Sequence, residues 1–202
     1  MSEQDSMPLL VELFLANGRI QGLTREVHDR QRLIDVLGGA AQALRLESAR
    51  VLLGAASTTR DFASLNVEKR SILAAIPHET KLQQRERSVL TTTVGRSQTH
   101  AIQATLIVPP LIAEGFVHVP QSFGGIGSKL TADGQIFGRF ISVTNATLTL
   151  PGGTELDAPV LLVNRDLIAA ISVPEEARGA AAAPAGMAPA RAEPVAYRRE
   201  GD

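Results

Sequence analysis

The chain has no cysteine and no tryptophan, and it carries one tyrosine and six phenylalanines among 202 residues. Without a thiol there is no disulfide framework, no Cys-rich zinc site and no cysteine nucleophile. So few aromatic rings leave little with which to stack the bases of a single-stranded nucleic acid. An excess of one charge is missing as well. The net charge is -1, and the split is even along the chain: 13 Lys/Arg against 11 Asp/Glu up to residue 100, then 7 against 10. Halves of +2 and -3 make neither a polycation for phosphate nor an acidic solvating tail. No run approaches the ~18 apolar residues of a spanning helix. The start, "MSEQDSMPLL", is polar and acidic where a secretory leader needs an apolar core. A cytoplasmic protein with no membrane partner is the expectation.

What the chain does have is a stretch that occurs twice. "LNVEKRSILAAIP" begins at Leu65 and "VLLVNRDLIAAISVP" at Val160. An offset of 95 places Arg70 on Arg165, Ala74 on Ala169, Ala75 on Ala170 and Ile76 on Ile171. Each copy runs from apolar residues through a charged tight turn into a second apolar run, which reads as a β-hairpin with a polar tip.

The rest of the chain is placed around these copies. Asn17-Gly18 between two apolar segments is a strong short-range hairpin signal, and predicts strands over Val11–Leu15 and Arg19–Val27. Leu33, Ile34 and Leu37 share one helical face ahead of Gly38-Gly39, which predicts a helix of about two turns. "ALRLESARVLL" sets Leu44, Leu46 and Ser48 on one side of a strand. A loop from Gly54 to Asp61 then leads to the first copy. In the second half, "THAIQATLIVPPLIAEGFVHVP" turns at Pro109-Pro110, Gly115 answers Gly22, and Phe116 answers Leu23. "FISVTNATLTL" answers "ALRLESARVLL" at an offset of 97, with Ala146 over Ala49.

The expected fold class is mainly β, with one short helix and two tandem small units of roughly five strands each. The expected bounds are a disordered 1–7, unit one over 8–79, a linker at 80–99, unit two over 100–175, and a disordered Ala/Pro-rich tail at 176–202. Units of this size bury a limited core, so they are expected to pack together or pair across a pseudo-two-fold interface.

This order of elements resembles the Sm-like barrel, one of the SH3-like small barrels. "VELFLANGRIQGL" looks like the first Sm hairpin, "FISVTNATL" like the third strand, and "VLLVNRDLIAAI" like the last hairpin. The resemblance implies two tandem barrels and, as an alternative function, nucleic-acid binding. Sm proteins contact RNA in the loop before the fourth strand and in an Arg-Gly turn. Here that turn reads Asn164-Arg165 and Lys69-Arg70, so the contacts do not carry over. "RLIDVL" and "GFVHVP" are also similar to small uncharacterised bacterial domains, which implies no activity.

Chemistry-bearing residues are scattered. His28, His78, His100 and His118 lie at no metal-type spacing, and no nucleophile elbow, Ser/His/Asp signature or paired-acid motif occurs. No metal, cofactor or catalytic residue is assigned, and an enzyme is the third-ranked reading. The candidate anion site is "FGGIGSKL", where Gly125, Gly127, Ser128 and Lys129 offer backbone N–H groups and a cation without matching the P-loop. Arg70 and Arg165 in the repeated turns, and His118 on the polar side of "FVHVP", are the interaction candidates. The function expected first is a non-catalytic scaffold or regulatory module that self-associates or holds a protein partner through its sheet edges.

Overall fold

The computed structural model describes residues 8–27, 32–54, 58–79, 99–120 and 138–174. Five strands come from the first half of the chain: β1 (Leu9–Leu15), β2 (Gly18–Thr24), β3 (Ala43–Leu53), β4 (Thr58–Glu68) and β5 (Ala74–His78). Five follow from the second: β6 (Thr99–Val108), β7 (Leu111–Pro120), β8 (Phe140–Thr149), β9 (Glu155–Asn164) and β10 (Ala170–Ser172). They form one open antiparallel sheet in the order β10-β6-β7-β8-β9-β5-β1-β2-β3-β4. The mainly β character is as expected, while the sheet is continuous from one set of strands to the other. Within it, β5-β1-β2-β3-β4 and β10-β6-β7-β8-β9 follow the same order.

Two turns are as short as their sequences suggest. Leu15 pairs with Gly18, closing a two-residue turn, and Val108 pairs with Leu111 around Pro109-Pro110. The repeated stretches are different from the expected hairpins. β4 pairs with β3, β5 pairs with β1, and a 3-10 turn at Lys69–Ser71 carries the chain between them. The second copy crosses in the same way, from β9 through Arg165–Leu167 to β10 on β6. The 3-10 turns set the offset at 96, one more than the sequence alignment. Lys69 therefore answers Arg165, and Arg70 answers Asp166.

A bulge recurs at one place in each set. The β2–β3 register slips between Gln21 and Leu23, and the β7–β8 register slips between Glu114 and Phe116. Opposite these slips stand Ser48 and Asn145, the two non-glycine residues with positive φ among those described, each at 48°. The expected alternation through Leu44, Leu46 and Ser48 thus breaks at Ser48, because a bulge inserts one extra residue and bends its strand. The strand expected after Gly54–Asp61 begins earlier, at Thr58.

Period-two burial fills two cores. Leu9, Val11, Leu13, Leu44 and Leu46 lie in the first, and Leu106, Val117, Val143, Leu148 and Leu161 in the second. The helix α1 (Leu33–Gly38) lays Leu33, Val36 and Leu37 on the first core by the i, i+3, i+4 spacing, so Val36 takes the buried place expected of Ile34, which is only partly buried. Asp35 turns back to accept from the Arg32 N–H at 3.0 Å. Phe14 and Phe140 are buried, while Phe62 and Phe116 are exposed.

At the second bulge the backbones are close. A Cβ on Gly115 would lie 2.8 Å from Val143 Cγ1 and 2.9 Å from Thr144 O. Gly54 has nothing within 4 Å of the same position, so a side chain there meets only the strain of its positive φ of 63°. Gly115→Ala is expected to cost about 1 to 3 kcal/mol, the usual range for overpacking, and Gly54→Ala less. Urea unfolding of both variants checks the order, and equal midpoints would show that the close contacts at the bulge add nothing beyond the strain of a positive φ.

Candidate interaction edges

The contact that joins the two sets is short and heavily used. β5 meets β9 through Ala74↔Val163 and Ala75↔Leu162. Beyond the ladder, Asn164 N–H donates to Leu73 O at 2.9 Å and Asn164 Nδ2 donates to Ile72 O at 2.9 Å. Asn164 Oδ1 accepts from Asp166 N–H at 3.1 Å. Asn164 is 1% exposed, and a buried amide is tolerated because its groups are bonded. The strands at this joint are buried on both faces. Leu162 and Phe140 reach into the first core, while Phe14, Leu73, Ala74 and Ile76 reach into the second. The expected pseudo-two-fold pairing is replaced by the meeting of two unlike edges.

Among the described residues, β4 and β10 each have one strand neighbour, so the sheet ends on an open edge at both sides. β4 is eleven residues long, and Thr58 through Ser64 are exposed, with Phe62 at 39%. Asn164 N–H points away from β8 to bond Leu73 O. At the matching place in β4 the Glu68 N–H faces the open side, and so does that of Asn66 by the two-residue alternation of a strand. β10 offers a much shorter edge of three residues.

A polar cleft of about 340 Å³ lies beside the joint, between Gly38–Gln42 on one wall and Arg139, Arg165 and Asp166 on the other. Asp166 pairs with Arg165 at 3.1 Å and with Arg139 at 3.5 Å, and Arg165 N–H donates to Arg139 O at 2.8 Å. Lys69 is buried below this wall, and its Nζ donates to Val36 O, a carbonyl in the last turn of α1 that also accepts from Gly39 N–H at 3.2 Å. Burial pushes the Lys69 ammonium below its ordinary value near 10.5, opposed by Glu26 and assisted by Arg139. Phe14, Leu15, Leu52, Leu111 and Leu150 line a second, more apolar cleft of about 520 Å³.

The candidates from sequence are separated by this geometry. Arg165 lines the polar cleft. Arg70 stands on the turn beside the open edge and is paired with Glu68 at 2.7 Å, which holds its proton more tightly than usual. His118 is on the exposed side of β7, with Nε2 2.9 Å from Thr144 Oγ1. Gly125, Gly127, Ser128 and Lys129 lie outside the described residues. Sequence reasoning missed Asn164, Lys69 and Arg139. A polar residue closing an apolar run was the available signal for Asn164 and Lys69, and it was read as the tip of a hairpin.

Two outcomes are expected. Asn164→Leu keeps the number of side-chain heavy atoms but strands Ile72 O and Asp166 N–H, and should cost about 1 to 3 kcal/mol. Faster hydrogen exchange at Ala74 and Ala75 would mark the loss at the joint, and unchanged exchange would show that the amide is dispensable. For Lys69, the unfolded chain keeps its proton up to about 10.5 while the folded chain releases it at lower pH. The unfolded state binds more protons in that window, so stability from this group rises with pH there. Urea midpoints of the native protein should gain on those of Lys69→Met as pH rises toward 10.5, and parallel curves would count against the shift. Compared with protein-family models, curated proteins and solved structures, the chain matches none.

Proposed function

We propose that this chain is a tandem pair of small Sm-like β units acting as a non-catalytic scaffold or regulatory module, which self-associates or holds a protein through its sheet edges. The observation that carries the reading is the β4 edge, eleven residues long and with β3 as its one strand neighbour among the described residues. An edge of this kind captures an extended segment by main-chain hydrogen bonds, with side chains adding selectivity. The duplication is supported by the shared strand order, the matching bulges and the paired positive φ of Ser48 and Asn145.

One observation favours a second reading, nucleic-acid binding. Arg139 and Arg165 converge on a polar cleft between the two sets, and guanidinium groups suit phosphate. Asp166 lies between them, and exchange of that carboxylate for a phosphate is what the reading requires.

The test uses the full chain and the edge-blocked variant Asn66→Pro. This change removes an N–H that faces away from β3 and leaves the β3–β4 ladder in place. Proteins retained by the native chain should be lost with Asn66→Pro while its melting temperature is preserved. Retention unaffected by the block would overturn the edge reading. Absorbance at 260 nm that is stripped by salt would promote the nucleic-acid reading, since phosphate contacts weaken steeply as salt rises.

A further inference from the structure

The β5–β9 joint shows how one edge of this fold accepts the other, and the two open edges carry the same backbone parts. β4 holds the place in the first set that β9 holds in the second, and β10 the place of β5. In the same register, β10 of a second copy would lie along β4, with Val67 and Asn66 opposite Ala170 and Ile171. Glu68 N–H would face Ala169 O, as Asn164 N–H faces Leu73 O. The backbone alone permits head-to-tail chaining.

The side chains do not. Leu162, 3% exposed at the joint, is answered in β4 by Asn66, which is exposed. Phe140 is buried against the first core and is answered by Ala43. The Asn164 amide, which donates to Ile72 O, is answered by Glu68, a carboxylate that only accepts and is already held by Arg70. In a chained pair that carboxylate would meet Ile168 O, acceptor against acceptor, while losing water. On the opposite edge, Leu73 and Ile76 are answered by Ala169 and Ser172. The anchors that weld the inner joint are small, polar or charged on the outer edges, and interfaces depend on a few such anchors.

We infer that Ala43, Asn66 and Glu68 bar the β4 edge to the β10 edge of a second copy. This deepens the edge-binding reading proposed above by excluding one occupant of that edge, and the bar to chaining stands without that reading.

Four full-length proteins test this by sedimentation velocity across a wide concentration range, with a thermal melt to establish that each is folded. They are the native chain, Ala170→Lys, the graft Ala43→Phe/Asn66→Leu/Glu68→Asn, and that graft combined with Ala170→Lys. Ala170 is exposed in the single chain and would be covered in a chained pair, so a lysine there blocks chaining alone. The graft should associate on the order of 100-fold more tightly than the native chain, as restored anchors imply, and Ala170→Lys should abolish that gain. Native and Ala170→Lys proteins should sediment alike. The inference is overturned if the native chain associates and Ala170→Lys dissolves the assembly, or if the folded graft gains nothing. A gain that survives Ala170→Lys also overturns it, because the association then lies elsewhere. Should the graft not fold, the native and Ala170→Lys pair still decides. Partner capture that responds to Asn66→Pro is read separately, so failure of the edge-binding reading leaves its own trace.

Discussion

The architecture depends on a contact only two ladder pairs long. Where β5 meets β9, the sheet passes from one set of strands to the other, and alternate residues on each strand must serve different cores. That demand explains why Ala74, Ala75, Leu162 and Val163 are all buried, while most other strands hide one face. It also explains Asn164. At the end of β9 the chain must leave the ladder and enter a 3-10 turn, and an amide that both donates and accepts satisfies the strand on one side and the turn on the other. An aspartate there lacks the donor, and a leucine lacks both functions.

The second constraint is the bulge. One extra residue in β3 opposite Gly22 and one in β8 opposite Gly115 reverse which residues face inward beyond that point. Downstream of Ser48 the inward positions are Ala49 and Val51, and downstream of Asn145 they are Ala146 and Leu148. Small residues at the crossing, with glycine opposite, let two backbones come close enough for the sheet to bend. The same solution occurs in both sets despite little identity in side chains, which is the strongest support for the proposed duplication.

Repetition of the backbone without repetition of the side chains separates the inner joint from the outer edges. Hydrogen-bonding groups of a strand edge are generic, and selectivity has to come from what flanks them. At the inner joint those flanks are apolar and close-packed. On β4 they are threonines, a serine, an asparagine and charged pairs such as Arg50–Asp61 and Arg70–Glu68, with Phe62 as the exposed aromatic. Among the described residues β4 therefore has one strand neighbour and flanks that are mostly polar or charged, whereas the inner joint has apolar ones.

Much of the fold was legible along the chain because it is local. Period-two apolar alternation marked β3 and, by likeness to it, β8; apolar runs beside Asn17-Gly18 and Pro109-Pro110 marked the strands at those turns; and the shared face of Leu33, Ile34 and Leu37 marked α1. The repeated stretch was recognised, but its meaning was misread: two apolar runs around a charged turn look like a hairpin whether or not they pair with each other. Which strand each one pairs with is decided by burial among residues far apart in sequence, Phe14 with Leu73 and Asn164 with Ile72. The offset of 95 instead of 96 has the same origin, since identity at Arg70 and Arg165 outweighed a register that only the hydrogen bonds reveal. The sequence by itself determined the elements and the faces they bury, because those follow from backbone geometry and alternation. The tertiary structure decided the order of the strands, the place of Lys69 and Asn164 inside, and which edges remain open, because each depends on contacts between distant segments that no local pattern encodes.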